Sequence, residues 1–185
     1  MGSSGAGTSF KTYDAPVPNV SGTTVDSINN AGDFVGIYTV SGGSAAFAYA
    51  SIDGPFITIP LGDNLPEASG INNLTQVVGS YGDSTGFHGF LRDPGETITA
   101  TIDFPGAVQT VPLAINDAGY IVGYWTDNRT SHAFVIHLPD IFLSYDAPGV
   151  IGTSFSGINS SGLISGISTD KQRVAHVLIA QLQVP

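Results

Sequence analysis

The 185-residue chain has no cysteine, one methionine, one tryptophan and five basic residues. Zero cysteine excludes a disulfide framework and thiolate metal sites. The five bases stand against 15 acids, a net charge of −10. That balance argues against a nucleic-acid or anionic-membrane surface, because both need Lys and Arg to neutralise phosphate. No stretch approaches the roughly 18 consecutive apolar residues of a transmembrane helix. Long helices are disfavoured as well, since 24 glycines and 11 prolines interrupt the chain. What is present, 42 % apolar and only 11 % charged residues, suits one acidic, turn-rich β domain with a real core. Residues 1–9 read as a flexible leader without the basic and apolar regions of a signal peptide, and a single domain is expected over 10–185.

The strongest feature is an internal repeat. Ile-Asn recurs at Ile28-Asn29, Ile71-Asn72, Ile115-Asn116 and Ile158-Asn159, in steps of 43, 44 and 43. A glycine follows each in the same register, at Gly36, Gly79, Gly123 and Gly166. Upstream, Thr12-Tyr13-Asp14 is echoed by Thr101-Ile102-Asp103 and Ser144-Tyr145-Asp146; downstream, His88, His132 and His176 recur. Each unit holds four short β-prone runs separated by turn residues, in the second unit Glu67–Asn72, Gln76–Tyr81, Phe87–Arg92 and Ile98–Asp103. Short connections require antiparallel neighbours, so each unit is expected to be a four-stranded meander.

The second run of each unit is apolar on both faces, as in Phe34–Tyr38 and Ile121–Trp125, which predicts cover by a further sheet on either side. Four such meanders around an axis make a four-bladed β-propeller. The mid-run glycine fits close approach by a neighbouring side chain, with Phe47, Phe90 and Phe134 as the candidates. The N-terminal run Phe10–Asp14 lacks a blade and the last unit ends after its third strand. The first run is therefore expected to complete the last blade and close the ring. An eight-bladed dimer and an open solenoid are the alternatives. A helical reading of Ile167–Val184, which contains neither Gly nor Pro before its end, yields to the repeat register.

The unit Gly-Ile-Asn-x-x-Gly-x-x-Val-Gly-x-Tyr, with His-Ala/Gly-Phe and Thr-Ile-Asp-x-Pro-Gly, resembles the HAF-type bacterial extracellular repeats. The motifs are clearest at Gly70–Leu91 and Thr101–Val122, while the first copy lacks the His and the fourth has Leu178 for the Phe. The resemblance implies a repeat fold and an extracellular or periplasmic location, and it identifies no reaction.

Candidate sites divide into repeated and non-repeated positions. Three histidines match the ligand number of some zinc sites, but equivalent strands of different blades diverge, so each is expected to bond to backbone in its own blade. The repeated Asn29, Asn72, Asn116 and Asn159 are expected to make Asx turns. Asp14, Asp103 and Asp146 are expected to fix the bend after the outer strand. Asp83, Asp127 and Asp170 could offer oxygen to calcium, yet each loop has a single carboxylate and a solvated turn is preferred, so no cofactor is assigned.

Departures from the repeat are the more informative positions. Asp26 aligns with Ser69, Leu113 and Ser156, and Glu67 with Thr24, Val111 and Ser154. Two carboxylates from adjacent blades would then share one end of the channel, where they either stand hydrated or split into an acid and a base. Tyr38, Tyr81 and Trp125 share one position and are either inter-blade core or an aromatic platform. With Asp83, Asp127 and Arg129 they make up the candidate binding residues. The first expectation for function is an exported binding module, monomeric or homodimeric, for a neutral or cationic small molecule or glycan. The second is a hydrolase, lyase or isomerase using Asp26 and Glu67. The third is a structural unit of a longer array.

Overall fold

The computed structural model describes residues 12–49, 54–61 and 64–183. The described residues form fifteen strands and no helix: β1 (Val20–Ile28), β2 (Phe34–Val40), β3 (Gly43–Tyr49), β4 (Phe56–Ile59), β5 (Asn64–Ile71), β6 (Val77–Gly82), β7 (Phe87–Arg92), β8 (Ala100–Ile102), β9 (Gln109–Ile115), β10 (Ile121–Thr126), β11 (Ser131–His137), β12 (Ile141–Tyr145), β13 (Val150–Ile158), β14 (Leu163–Asp170) and β15 (Ala175–Gln181). The run from Ile167 is strand, as the repeat register requires. No helix among these residues is long and apolar enough to cross a membrane.

The strands form sheets of four, eight and three, not four separate blades. β1–β4 are one antiparallel meander. β5–β8 and β9–β12 are two more, joined into one sheet by a single parallel bridge between Phe87 and Gln109. That bridge forms because Gly86, at φ 153°, lets the β6–β7 hairpin approach the Val108 carbonyl. The last meander stops at three strands, β13–β14–β15. No sheet closes. The expected closing strand Phe10–Asp14 lies partly outside the described residues, and its described part, Thr12–Asp14, is in no strand.

The core is a chain of clusters that link successive meanders. One joins Val35, Ala46 and Ile59 to Ala68, Val77 and Phe90. The next joins Val78 and Ile102 to Ile121, Phe134 and Ile136, and a third joins Val122, Ala133 and Val135 to Phe155 and Ile164. The fourth packs Tyr13 and Ala15 on Phe34, Tyr38 and Phe47 of the first meander. None unites the first meander with the last. Both faces of β6 are accordingly covered along most of its length, whereas β14 alternates buried and exposed residues.

Every inner strand carries the same irregularity. The ladder skips one residue between Val25 and Ser27, between Ala68 and Gly70, opposite Val122/Gly123, and between Phe155 and Gly157. The bulged residues are Asp26, Ser69, Leu113 and Ser156. Such a bulge re-aims its residue and bends the strand. It also explains the repeated glycine. A Cβ on Gly36, Gly79, Gly123 or Gly166 would run into the backbone carbonyl of Thr24, Glu67, Val111 or Ser154 respectively. The expected phenylalanine contact is secondary: Phe90 and Phe134 approach at 2.7 and 2.8 Å, and Phe47 is not among the nearest atoms at Gly36.

Candidate functional site

The Ile-Asn turns make a polar floor at one end of the inner strands. Each Asn Oδ1 accepts from two backbone N–H groups in its own turn, as Asn72 does from Leu74 and Gln76. This is the expected Asx turn. The side-chain amide has a further use, absent from the turn motif. Asn29 Nδ2 donates to Asn72 O at 3.1 Å, Asn72 Nδ2 to Asn116 O at 3.0 Å, and Asn116 Nδ2 to Asn159 O at 3.2 Å. The floor lines a recess of about 190 Å³ with Asn30, Asn73 and Asp117. Its amides are already spent on each other.

At the opposite end, each repeated histidine spans its own meander. His88 Nδ1 lies 2.7 Å from Asp103 Oδ1 and Nε2 lies 3.2 Å from Asp83 Oδ1. His132 repeats the first contact with Asp146 at 2.7 Å, and His176 meets Asp170 at 3.1 Å. The partners are carboxylates, not the expected backbone groups: the outer strand delivers an Asp beside His88 and His132, and the start of the β14–β15 turn delivers Asp170 to His176. The Asp103 bond raises the His88 pKa. Asp83 falls to about 2, chiefly through the hydroxyl and amide of Thr85. Asp127 accepts from the Arg129 and Thr130 amides, which lower its pKa. Asp83 and Asp127 thus anchor turns. Among the described residues no group of three or more His, Asp or Glu is placed to hold a metal ion.

The three aligned aromatic residues are not brought together. Tyr38, Tyr81 and Trp125 pack in different clusters. The Tyr38 and Tyr81 hydroxyls lie 3.3 and 3.4 Å from Thr58 and Thr101 Oγ1, and Trp125 Nε1 donates to Ser144 Oγ at 3.0 Å. Trp125 also stacks on Phe104 at 4.9 Å and on His132 at 4.2 Å.

Asp26 and Glu67 are brought together. Asp26 occupies the bulge of β1, and Glu67 lies two residues before the bulge of β5. Both residues are exposed, and partial desolvation raises the Asp26 carboxyl above its ordinary value. Partial desolvation raises Glu67 as well, and the Asp26 charge raises it further. Tyr124 of β10 joins them: burial raises its hydroxyl, with the Glu67 charge adding to the effect. Ser69, the bulged residue of β5, has a buried Oγ with no hydrogen-bond partner among the described residues. Neither Tyr124 nor Ser69 was expected from the sequence. The signal for Ser69 was its alignment with Asp26; the bulge that gives the alignment meaning is a backbone feature.

No family model matches the chain, and no curated protein matches it. Among solved structures, the chain is similar to the β-propeller domain of the trilobed protease from Pyrococcus furiosus, described as having an open velcro topology. The TM-score is 0.55 at 8 % identity, over 85 % of this chain and 51 % of that one. The chain thus has a propeller-like all-β fold and spans about half the length of that solved chain.

Proposed function

We propose that the protein is an exported propeller-type binding module whose four meanders act as blades and whose ligand, a small cation, sits among Asp26, Glu67, Ser69 and Tyr124. The carrying observation is the carboxylate pair of β1 and β5. Each carboxyl is held above its ordinary pKa by partial desolvation, and Asp26 acts on Glu67. No basic side chain is among the causes of either shift. Both residues are exposed to solvent, so the pair is open to a ligand, and a carboxylate pair with raised pKa values is a mark of functional sites. A ligand carrying an ammonium or guanidinium group complements the pair. The net charge of −10 favours the approach of such a ligand. The Asn-floored recess supports the reading less, since its amides already bond to one another. Export rests on the resemblance to extracellular HAF-type repeats.

Titration calorimetry with putrescine and arginine, against neutral monosaccharides, tests the reading. Cation binding should weaken about tenfold in Asp26→Asn or Glu67→Gln and vanish in the double variant. Binding unaffected by the double variant, or confined to sugars, refutes it. A second reading, acid–base catalysis by a hydrolase, lyase or isomerase, draws on the effect of Asp26 on Glu67, which favours a protonated Glu67 beside an ionised neighbour. It requires an activity that Glu67→Gln abolishes.

A further inference from the structure

We propose that a second copy of this chain completes the ring, the last meander of each copy docking head-to-tail on the first meander of the other. Three independent features of the two ends match. The first is apolar. Val122, Ala133 and Val135 of the third meander are covered by Phe155 and Ile164 of the fourth. One repeat later, positions 122, 133 and 135 become Ser165, Val177 and Ile179; Ser165 is exposed, and Val177 and Ile179 are 81 and 60 % exposed. At the other end Val25, the repeat counterpart of the buried Phe155, is 52 % exposed. The fourth meander shows the face that its predecessor buries, and the first lacks the cover that its successors receive.

The second feature is the amide ladder, which has a direction. Each Asn donates to the carbonyl of the next meander, so the series starts with an acceptor and ends with a donor. Asn159 Nδ2 has no acceptor among the described residues, and the Asn29 carbonyl takes only the Gly32 N–H. The third is the His–Asp pair. His88 and His132 reach Asp103 and Asp146 at the ends of the outer strands, but among the described residues the last meander has no outer strand, and His176 bonds only to Asp170. The missing counterpart is Asp14. Its position is already set on the first meander, because Ala15 N donates to Thr23 Oγ1 just as Phe104 N does to Thr110 and Ala147 N to Thr153. Asp14 is exposed there and lines a recess of about 430 Å³.

Complementary ends on one chain make a heterologous contact, which either closes or polymerises. Among the described residues no core cluster and no strand pair joins the first and last meanders, although Ile28 and Ile158 line the same recess. The chain spans about half of a solved propeller chain, a length that a second copy related by a two-fold axis would double. The inference rests on the meanders acting as blades and is independent of any ligand.

Sedimentation velocity of the full chain over a roughly hundredfold concentration range tests it. The expected species has twice the chain mass. A monomer throughout, which would mean closure on itself or an open arc, overturns the proposal, as does an open series of larger species; either result leaves the Asp26–Glu67 site standing. Val177→Lys and Val25→Lys block opposite ends and are both exposed, so each should fold and weaken dimerisation by roughly two orders of magnitude. Mixed in equal amounts they retain one intact junction, and dimer should reappear. Failure of the mixture to dimerise overturns the head-to-tail geometry even if the wild type is a dimer.

Discussion

At the residue scale, the repeated glycines and asparagines are the positions where one atom decides the outcome. Gly123 faces the Val111 carbonyl across the bulge, so Gly123→Ala forces the inner strand off its ladder. A loss of about 3 kcal/mol or more in urea unfolding is expected. The Asn72 side chain binds two turn amides, the Gln76 side chain and the next meander, whereas among the described residues the Asn159 side chain binds only within its own turn. Asn72→Ala should therefore cost about 2–4 kcal/mol and Asn159→Ala distinctly less, because burial raises the penalty of unpaired amides. Equal losses would show that the inter-meander bond carries no weight.

At the scale of the strand pair, titration separates groups that fold the blade from groups that oppose folding. His88 has a raised pKa, so its contribution is full below the ordinary value of 6.5 and is lost as pH rises through the raised one. NMR titration should find a lower His88 pKa in Asp103→Asn, because the Asp103 hydrogen bond is the main support of the charged ring. Asp83 works in the opposite sense: its contribution is full above 3.8 and disappears as pH falls through about 2. Glu67 is raised by partial desolvation, so the protein is favoured below 4.5 and loses that advantage as pH rises. Glu67→Gln should raise the melting temperature at pH 7 and leave it nearly unchanged near pH 4. A fall at pH 7 would mean that the carboxylate has a stabilising partner. The meander itself was legible in the second unit: Phe87–Arg92 was placed to the residue, because turn residues bracket it on both sides. The bulge was not, since Asp26, Ser69, Leu113 and Ser156 share no residue type.

At the scale of the whole molecule, stability should be distributed along the chain of clusters. Phe134 is fully buried between two meanders, so Phe134→Ala should cost about 3–5 kcal/mol. Hydrogen exchange should then be slowest in β6, β10 and β11 and fastest in β15, whose outer face is exposed. Docking of a second copy would add protection to β15 as concentration rises. The repeat predicted four equal blades and a ring closed by Phe10–Asp14. The sheets of four, eight and three differ because one backbone bridge at Phe87 merges the middle pair and no described strand pairs with the outer edge of β15. A 43-residue period sets what each unit is. It does not set the angle between units, which comes from how side chains such as Phe155 pack against Ala133.

The opening scarcities follow from the repeat. Charge is low because strands such as β6 are covered on both faces, and glycine is abundant because every unit needs turns and one bulge-facing glycine. By itself the sequence determined the all-β class, the meander, its register and the Asx turns, all of which depend on neighbours a few residues apart. The repeat alignment already placed Asp26 near Glu67, but tertiary structure alone decided that the Asn amides bond from unit to unit and that His88 finds Asp103. Each of those contacts joins groups 15 to 44 residues apart, through strand pairing and bulges that no single residue type encodes. The exposed last face belongs to the same class: every unit carries the same pattern, and only the packing shows which one lacks a neighbour.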